Sequence, residues 1–152
     1  MIRLDANVIW IYPRPSHEMV PSAVSEVDIR SGGFDRDIGV KVPKVRLRVT
    51  RAGHVAQMVR WFDALPVVAP DVGWGPCSLG PGPYSTFDFR SADGTTLASA
   101  GVPIYGSGPC APIDFSIGVK KQLPLVDKYV GPPGPSFLER VEKLLGVSFM
   151  PS

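Results

Sequence analysis

Cysteine and histidine are scarce in this chain of 152 residues, which contains two of each. The cysteines form no CxxC pair and the histidines do not stand at ligand spacing, so no metal site is expected. The GxxxxGK[ST], GxGxxG, HExxH and GxSxG motifs are also missing. The function classes that depend on those motifs therefore have no support, and we expect no cofactor.

Long apolar runs and a strong charge imbalance are missing as well. No apolar stretch approaches the ~20 residues that span a bilayer, so we expect no transmembrane segment. The apolar run at residues 8–12 is too short for the core of a signal peptide. A net charge of +2 does not by itself indicate nucleic acid or a membrane. We expect a soluble chain, either intracellular or exported with its leader removed.

Glycine and proline are abundant, at 16 and 17 residues. Their combined share of about 22% exceeds the usual ~12% but stays below the range typical of disorder. Leu, Ile, Val and Phe supply about 29% of the chain, enough for a hydrophobic core. The length suits one domain. We therefore predict a single loop-rich domain over residues 1–152.

The hydrophobic pattern divides this domain into two parts. Over residues 1–37 it predicts a strand at 2–12, followed by an irregular segment rich in proline and glycine. Residues 38–146 are predicted to form an α+β core. Its first strand alternates over 38–49, where Pro43 indicates a bulge or an edge position. A helix follows, with Thr50 as its N-cap and Pro66 at its end.

Two more strands and a second helix are predicted downstream. Strands at 84–90 and 95–102 flank the hairpin signal Asp93-Gly94. Alternation from Ile113 to Val119 predicts a further strand. A capping box at Ser136 begins the last helix, and a glycine at position 146 ends it. The predicted class is α+β, with a mainly antiparallel sheet of about five to six strands and two helices.

Cys77 and Cys110 each follow a Gly-Pro pair and are 33 positions apart. Cysteine parity and loop composition favour a disulfide between them, which would indicate an oxidising compartment. The alternatives are two buried, unreactive thiols or a catalytic thiol. No histidine or basic residue lies near either cysteine in the sequence, so the last alternative has the least support.

Basic residues concentrate between positions 36 and 60, where seven of them accompany one acid. Lys44, Arg46 and Arg48 share one strand face because side chains alternate along a strand. That face could meet an anionic polymer or an acidic protein surface, and the alternative is a solvated face without a partner. No aromatic residues are interleaved there, so nucleic acid is not the expected partner. Asp88 and Asp114 are predicted to be solvated charges on the polar strand faces.

Aromatic residues mark the two Gly/Pro-rich loops. Trp74 lies inside one loop, and Tyr84 and Tyr105 flank the loops. A disulfide between the loops would present these rings as a rigid surface for a partner. The alternative is that Trp74 folds back over the edge of the core.

A set of elements between Val49 and Gly146 resembles small uncharacterised extracytoplasmic domains of actinobacterial exported proteins and lipoproteins. The set comprises the helix ending at Leu65-Pro66, the strand Phe87-Asp88-Phe89, the hairpin Asp93-Gly94, the two loop cysteines, and the last helix from Phe137 to Gly146. The resemblance implies export and a bonded cysteine pair, and it implies no catalytic residues. The leader and lipid-attachment cysteine of such proteins are not in this sequence, and we expect them to have been removed.

Three functional hypotheses follow. The first is a non-catalytic extracytoplasmic domain that binds a protein or an envelope polymer through the aromatic loops or the basic strand face. The second is a small hydrolase-like enzyme whose cleft combines distant residues, such as His54 and an aspartate. The third is an intracellular adaptor with free thiols. We favour the first.

Overall fold

The computed structural model of the protein describes residues 14–35, 39–67, 82–105, 110–127 and 134–150. The predicted strand at residues 2–12 lies outside these ranges, as do Trp74 and Cys77. Among the described residues the chain forms one sheet, two α-helices and a short 3-10 helix at Ser16–Glu18.

All strand pairs in this sheet are antiparallel. Its six strands are β1 (Glu26–Asp35), β2 (Val40–Val49), β3 (Tyr84–Arg90), β4 (Thr96–Pro103), β5 (Asp114–Ile117) and β6 (Lys120–Lys121). They lie in the order β2-β1-β3-β4-β5-β6. The helices are α1 (Ala52–Asp63) and α2 (Phe137–Leu145). The predicted α+β class, with an antiparallel sheet and two helices, is confirmed.

Strand β1 corrects the sequence interpretation, which assigned residues 13–37 to an irregular segment. It pairs with β2 on one side and β3 on the other, so it is part of the sheet interior. Val27 and Ile29 are fully buried and alternate with polar residues. That alternation covers too few residues to stand out beside the prolines and glycines around it. The α+β core therefore begins before residue 38.

Both features predicted from Pro43, a bulge and an edge position, are confirmed. Within the described residues β2 is an edge strand of the sheet. Ser31 pairs with Val45 and Gly33 with Val42, so two residues of β2 face one residue of β1. This is a β-bulge, which accommodates the proline and shifts the inward–outward alternation of the side chains by one residue.

The predicted strand from Ile113 to Val119 is shorter than its alternation suggests. Strand β5 ends at Ile117, and the next two residues form the turn to β6. Gly118 adopts a positive φ of 55°, and Val119 is fully exposed. Val119 therefore continues the apolar alternation of the sequence, but its side chain is not part of the buried face of the sheet.

Turn and cap chemistry agree with the sequence at two further points. Asp93 accepts hydrogen bonds from Ser91 Oγ at 2.5 Å and from the Thr95 amide at 3.0 Å within the β3–β4 hairpin. These bonds lower the pKa of Asp93 to about 2, the Ser91 hydroxyl contributing most. In α2, Ser136 and Glu139 form the predicted capping box. In α1, however, Arg51 and not Thr50 is the N-cap, and its side chain makes no capping bond.

Both helices cover the same face of the sheet. The Phe62 ring of α1 lies 5.3 Å from Phe89, 5.0 Å from Phe115 and 5.4 Å from Phe137, measured between ring centroids. Phe89 and Phe115 belong to the sheet, and Phe137 belongs to α2. These four buried rings form the centre of the core. Because side chains alternate along a strand, the residues between the buried ones project from the opposite, outer face.

Candidate functional site

The outer face of β1, β2 and β3 carries most of the charge that the sequence places in this sheet. At one end, Asp28 accepts a hydrogen bond from Arg48 Nε at 2.9 Å and lies 3.2 Å from Arg90 Nη1. The hydrogen bond from Arg48 is the largest cause of the lowered pKa of Asp28. The same bond raises the pKa of Arg48. The cations at this end of the face are therefore paired.

Asp88 corrects the prediction of a solvated carboxylate. It is only 6% exposed, although it projects from the outer face. Its two carboxylate oxygens accept hydrogen bonds from Arg30 at 2.5 Å and from Ser99 Oγ at 2.7 Å. Strand β3 is central in the sheet, so long side chains of the neighbouring strands cover Asp88 from both sides. Asp114 of the shorter strand β5 is exposed, as predicted.

Beyond this paired region lies an open groove of about 740 Å³, which we call the basic groove. It runs over β1 and β2 and reaches the start of β3. Its lining comprises Arg30, Ser31, Gly32, Gly33, Phe34, Lys41, Val42, Lys44, Arg46, Tyr84 and Thr86. That list contains four cationic side chains and no carboxylate.

Three of these cations have no neutralising neighbour among the residues that the structure describes. Lys41, Lys44 and Arg46 are exposed, and none forms an ion pair with any residue in the described part of the chain. Arg30 shares its charge with Asp88. The described part of the groove therefore holds an excess of positive charge, in contrast to the paired region next to it.

The bulge explains why these three cations line one groove. In a regular strand, side chains three positions apart point to opposite faces, as Lys41 and Lys44 would. The extra residue in β2 reverses the alternation between them. Both therefore reach the outer face, while Val42 is buried on the inner face.

Two glycines of β1 form the part of the groove beside the bulge. Gly32 and Gly33 have φ angles of 132° and 138°, which side chains rarely permit. A Cβ on Gly32 would lie 3.2 Å from the Lys44 Cα. A Cβ on Gly33 would meet nothing within 4 Å, so the backbone there borders open space.

Two aromatic rings complete the groove. Phe34 is 61% exposed. Tyr84 is half-buried, and its ring lies beside Gly101. If that glycine carried a Cβ, the Tyr84 Cδ1 atom would be 3.5 Å from it. Burial, with the charge of Asp114 as a smaller cause, raises the pKa of Tyr84. The groove thus joins uncompensated cations to exposed apolar surface.

The predicted binding residues divide into three groups. Lys44, Arg46 and Tyr84 line the basic groove together. Arg48 lies on the same strand but is paired with Asp28, outside the groove lining. Tyr105 packs against the core, and its hydroxyl is buried without a hydrogen-bond partner among the described residues.

Three groove residues were not singled out from the sequence as binding residues: Arg30, Phe34 and Lys41. The break in alternation at Pro43 was the available signal for Lys41. For Arg30 and Phe34 the signal was hidden, because their strand was predicted to be irregular. Of the aromatic surface predicted from Trp74, Tyr84 and Tyr105, Trp74 lies outside the described residues.

The other residues considered as catalytic groups or metal ligands do not lie together in a cleft among the described residues. His54 lies half-buried on α1. It lines neither the basic groove nor a second groove of about 660 Å³ between α1 and residues 21–25. Cys110 is exposed, while Cys77 is outside the described ranges. Among the residues that the structure describes, no group of three potential ligands could hold a metal ion.

Comparisons with known protein families, with curated proteins and with solved structures find no match to this chain. In the part of the chain that the structure describes, neither helix is long and apolar enough to cross a bilayer. The likeness to actinobacterial extracytoplasmic domains therefore stays an expectation. The function proposed for the chain rests on the geometry of the basic groove.

Proposed function

We propose that the protein is a non-catalytic binding domain that recognises an acidic partner through the basic groove. The observation that carries this proposal is the contrast in pairing on one sheet face. Arg48 and Arg90 share Asp28, whereas Lys41, Lys44 and Arg46 pair with no carboxylate among the described residues. Like charges held close together repel, and an anionic partner would relieve that repulsion. The concave shape and volume of the groove fall in the usual range of ligand sites.

Reversing two of the unpaired charges tests this function. The double variant K44E/R46E is expected to bind fluorescein-labelled poly-glutamate at least about tenfold more weakly, a difference of ~1.4 kcal/mol. Both side chains are exposed and make no described ion pair, so the fold should tolerate the change. Fluorescence anisotropy at low and physiological salt measures the affinity.

The matched control is the double variant K120E/K121E, which changes two exposed strand lysines at the opposite edge of the sheet. Its two Lys-to-Glu changes give this control the same net charge as K44E/R46E. The control should bind the polymer within about twofold of the unaltered protein. If it loses as much affinity as K44E/R46E, overall charge and not the groove determines binding, and the proposed function is wrong.

We also propose that the domain is extracytoplasmic and that Cys77 and Cys110 form a disulfide. The even cysteine number and the loop composition around each cysteine support this pairing. A bond closing this loop would stabilise the fold by about 3–4 kcal/mol in the chain-entropy model.

Thiol counting tests the disulfide. Alkylation and mass spectrometry of denatured protein from its own host should detect no free thiol without reductant, and both thiols after reduction. Labelling of both cysteines in denatured, unreduced protein would contradict the bond and favour an intracellular adaptor.

A further inference from the structure

We infer that the ligand of the basic groove is an extended acidic peptide segment whose carboxylates alternate along its chain and which carries one aromatic or large aliphatic side chain. This inference rests on the proposed function, because it names the partner of the same groove. Three features of the groove carry it: the spacing of its cations, its exposed apolar surface and its small number of free charges.

The spacing of the cations matches an extended polypeptide. Lys44 and Arg46 are two positions apart on β2, so their Cα atoms are separated by about 6.6–6.8 Å, from the usual rise per strand residue. An extended peptide presents every second side chain to one side at the same repeat. Glutamates or aspartates at alternate positions can therefore face Lys44 and Arg46 together. Lys41 extends the row of cations beyond the bulge.

The apolar part of the groove provides for the second feature of the ligand. The exposed ring of Phe34 and the half-buried ring of Tyr84 both line the groove. The glycine backbone at positions 32 and 33 leaves space beside them. A single aromatic or aliphatic side chain of the peptide would bury part of the Phe34 surface, which is the ordinary source of affinity beyond charge pairing.

The small number of free charges favours a peptide over a nucleic acid. Typical nucleic-acid interfaces make about 6–10 phosphate contacts, and affinity falls steeply with salt in proportion to their number. This groove offers Lys41, Lys44 and Arg46 as its uncompensated cations among the described residues. A bilayer is disfavoured for the same reason, because lipid-binding clusters typically contain about 4–8 Lys or Arg residues.

A set of synthetic decapeptides tests the inference with the full chain. The first peptide alternates glutamate with threonine and has one end glutamate replaced by phenylalanine, so that the ring and the carboxylates lie on the same side of the extended chain. The second has the same composition with its glutamates in adjacent pairs at positions 1, 2, 5 and 6, so that no two glutamates are two positions apart, and the third has glutamine in place of every glutamate. A single-stranded deoxythymidine oligonucleotide of equal length serves as the competing polyanion. Affinities are measured by fluorescence anisotropy for the unaltered protein and for the variants K44E/R46E and Phe34→Ala.

We expect the alternating peptide to bind about tenfold more tightly than the peptide with paired glutamates, a difference of ~1.4 kcal/mol. Phe34→Ala should weaken binding of the alternating peptide about threefold or more. It should leave unchanged the binding of a fourth peptide, which has threonine in place of the phenylalanine. K44E/R46E should abolish the preference for alternation. The glutamine peptide should show no binding at the same concentrations.

The outcomes separate this inference from the proposed function. Equal affinity for both acidic peptides, with loss in K44E/R46E, retains an acidic partner but contradicts an extended, alternating one. Tighter binding of the oligonucleotide than of any peptide overturns the peptide in favour of a nucleic acid. If neither acidic peptide responds to K44E/R46E, both the inference and the proposed function fail.

Discussion

Replacing Phe62 with alanine is expected to lower the free energy of unfolding by about 3–5 kcal/mol. Phe62 is fully buried, and its ring packs between the sheet and α2 through contacts with Phe89, Phe115 and Phe137. The substitution removes apolar surface and leaves a cavity that three rigid rings cannot easily fill. It also removes aromatic pairs, each worth ~0.5–1.5 kcal/mol beyond its buried area.

Urea denaturation followed by circular dichroism measures this loss, and Phe34→Ala provides the matched control. Phe34 is the same residue type in the same domain, but it is 61% exposed. Its replacement should change the free energy of unfolding by no more than about 0.5 kcal/mol. Equal losses in the two variants would contradict the placement of Phe62 at the centre of the core.

Most of the core was predictable because its elements carry strong local signals. The helical spacing of Val55, Met58 and Phe62 and the capping box at Ser136 both correspond to observed helix features. The Asp93-Gly94 signal predicted the hairpin between β3 and β4 but not its loop. The Gly94 amide donates to the Ser91 carbonyl at 2.9 Å, and Asp93 lacks the positive φ that a two-residue type I′ turn requires. Strand β1 was missed because its pairing with β2 and β3 depends on distant residues, while the local sequence is dominated by turn formers. Local composition cannot report such long-range pairing.

The candidate site was predictable only in part for a related reason. Lys44 and Arg46 follow from alternation along one strand, and the structure places them in the basic groove. Their meeting with Tyr84, which is 38 or more positions away in sequence, depends on the strand order β2-β1-β3. The separation of Arg48 from the groove depends on its ion pair with Asp28 across the β1–β2 register. Both features depend on contacts between distant parts of the chain, so no sequence pattern within β2 could have predicted them.

Arg14 is a buried cation that connects the start of the described chain to α1. It is 6% exposed, and its guanidinium donates hydrogen bonds to the backbone carbonyls of Phe62 at 2.9 Å and Glu18 at 2.5 Å. Its Nη2 atom lies 3.9 Å from Asp63. The guanidinium carbon is also 5.7 Å from the Phe62 ring centroid and 5.2 Å from that of Phe115. Burial lowers the pKa of Arg14, against the opposing charges of Asp63 and Glu18.

Replacing Arg14 with methionine is expected to destabilise the fold by about 3 kcal/mol near neutral pH. Loss of one partner from a buried ion pair typically costs about 3–5 kcal/mol. The low end applies because the Asp63 side chain is 20% exposed and retains an amide hydrogen bond from Val20 at 2.8 Å. Methionine preserves the length and the apolar contact of the side chain, so the loss reports the charge and its hydrogen bonds.

The destabilisation by Arg14→Met should also depend on pH, with a sign set by Asp63. Burial raises the pKa of Asp63 above its ordinary value of 3.8, while the charge of Arg14 acts in the opposite direction. Removing that charge raises the pKa further. A carboxyl with a raised pKa in the folded state stabilises the fold below its unfolded pKa, and this contribution disappears as pH rises through the folded pKa. The destabilisation should therefore be smaller near pH 3.5 than near pH 7.

Urea denaturation of the single variant at both pH values measures this change, and the double variant R14M/D63N isolates its cause. Without an ionisable group at position 63, the double variant should lose the pH-dependent part of the defect and recover stability at pH 7. Glu18 also faces Arg14 and is unchanged in both variants. A pH-dependent defect that persists in the double variant would therefore assign the effect to Glu18. A defect of the same size at both pH values would show that Arg14 acts through its carbonyl hydrogen bonds and aromatic contacts, and not through Asp63.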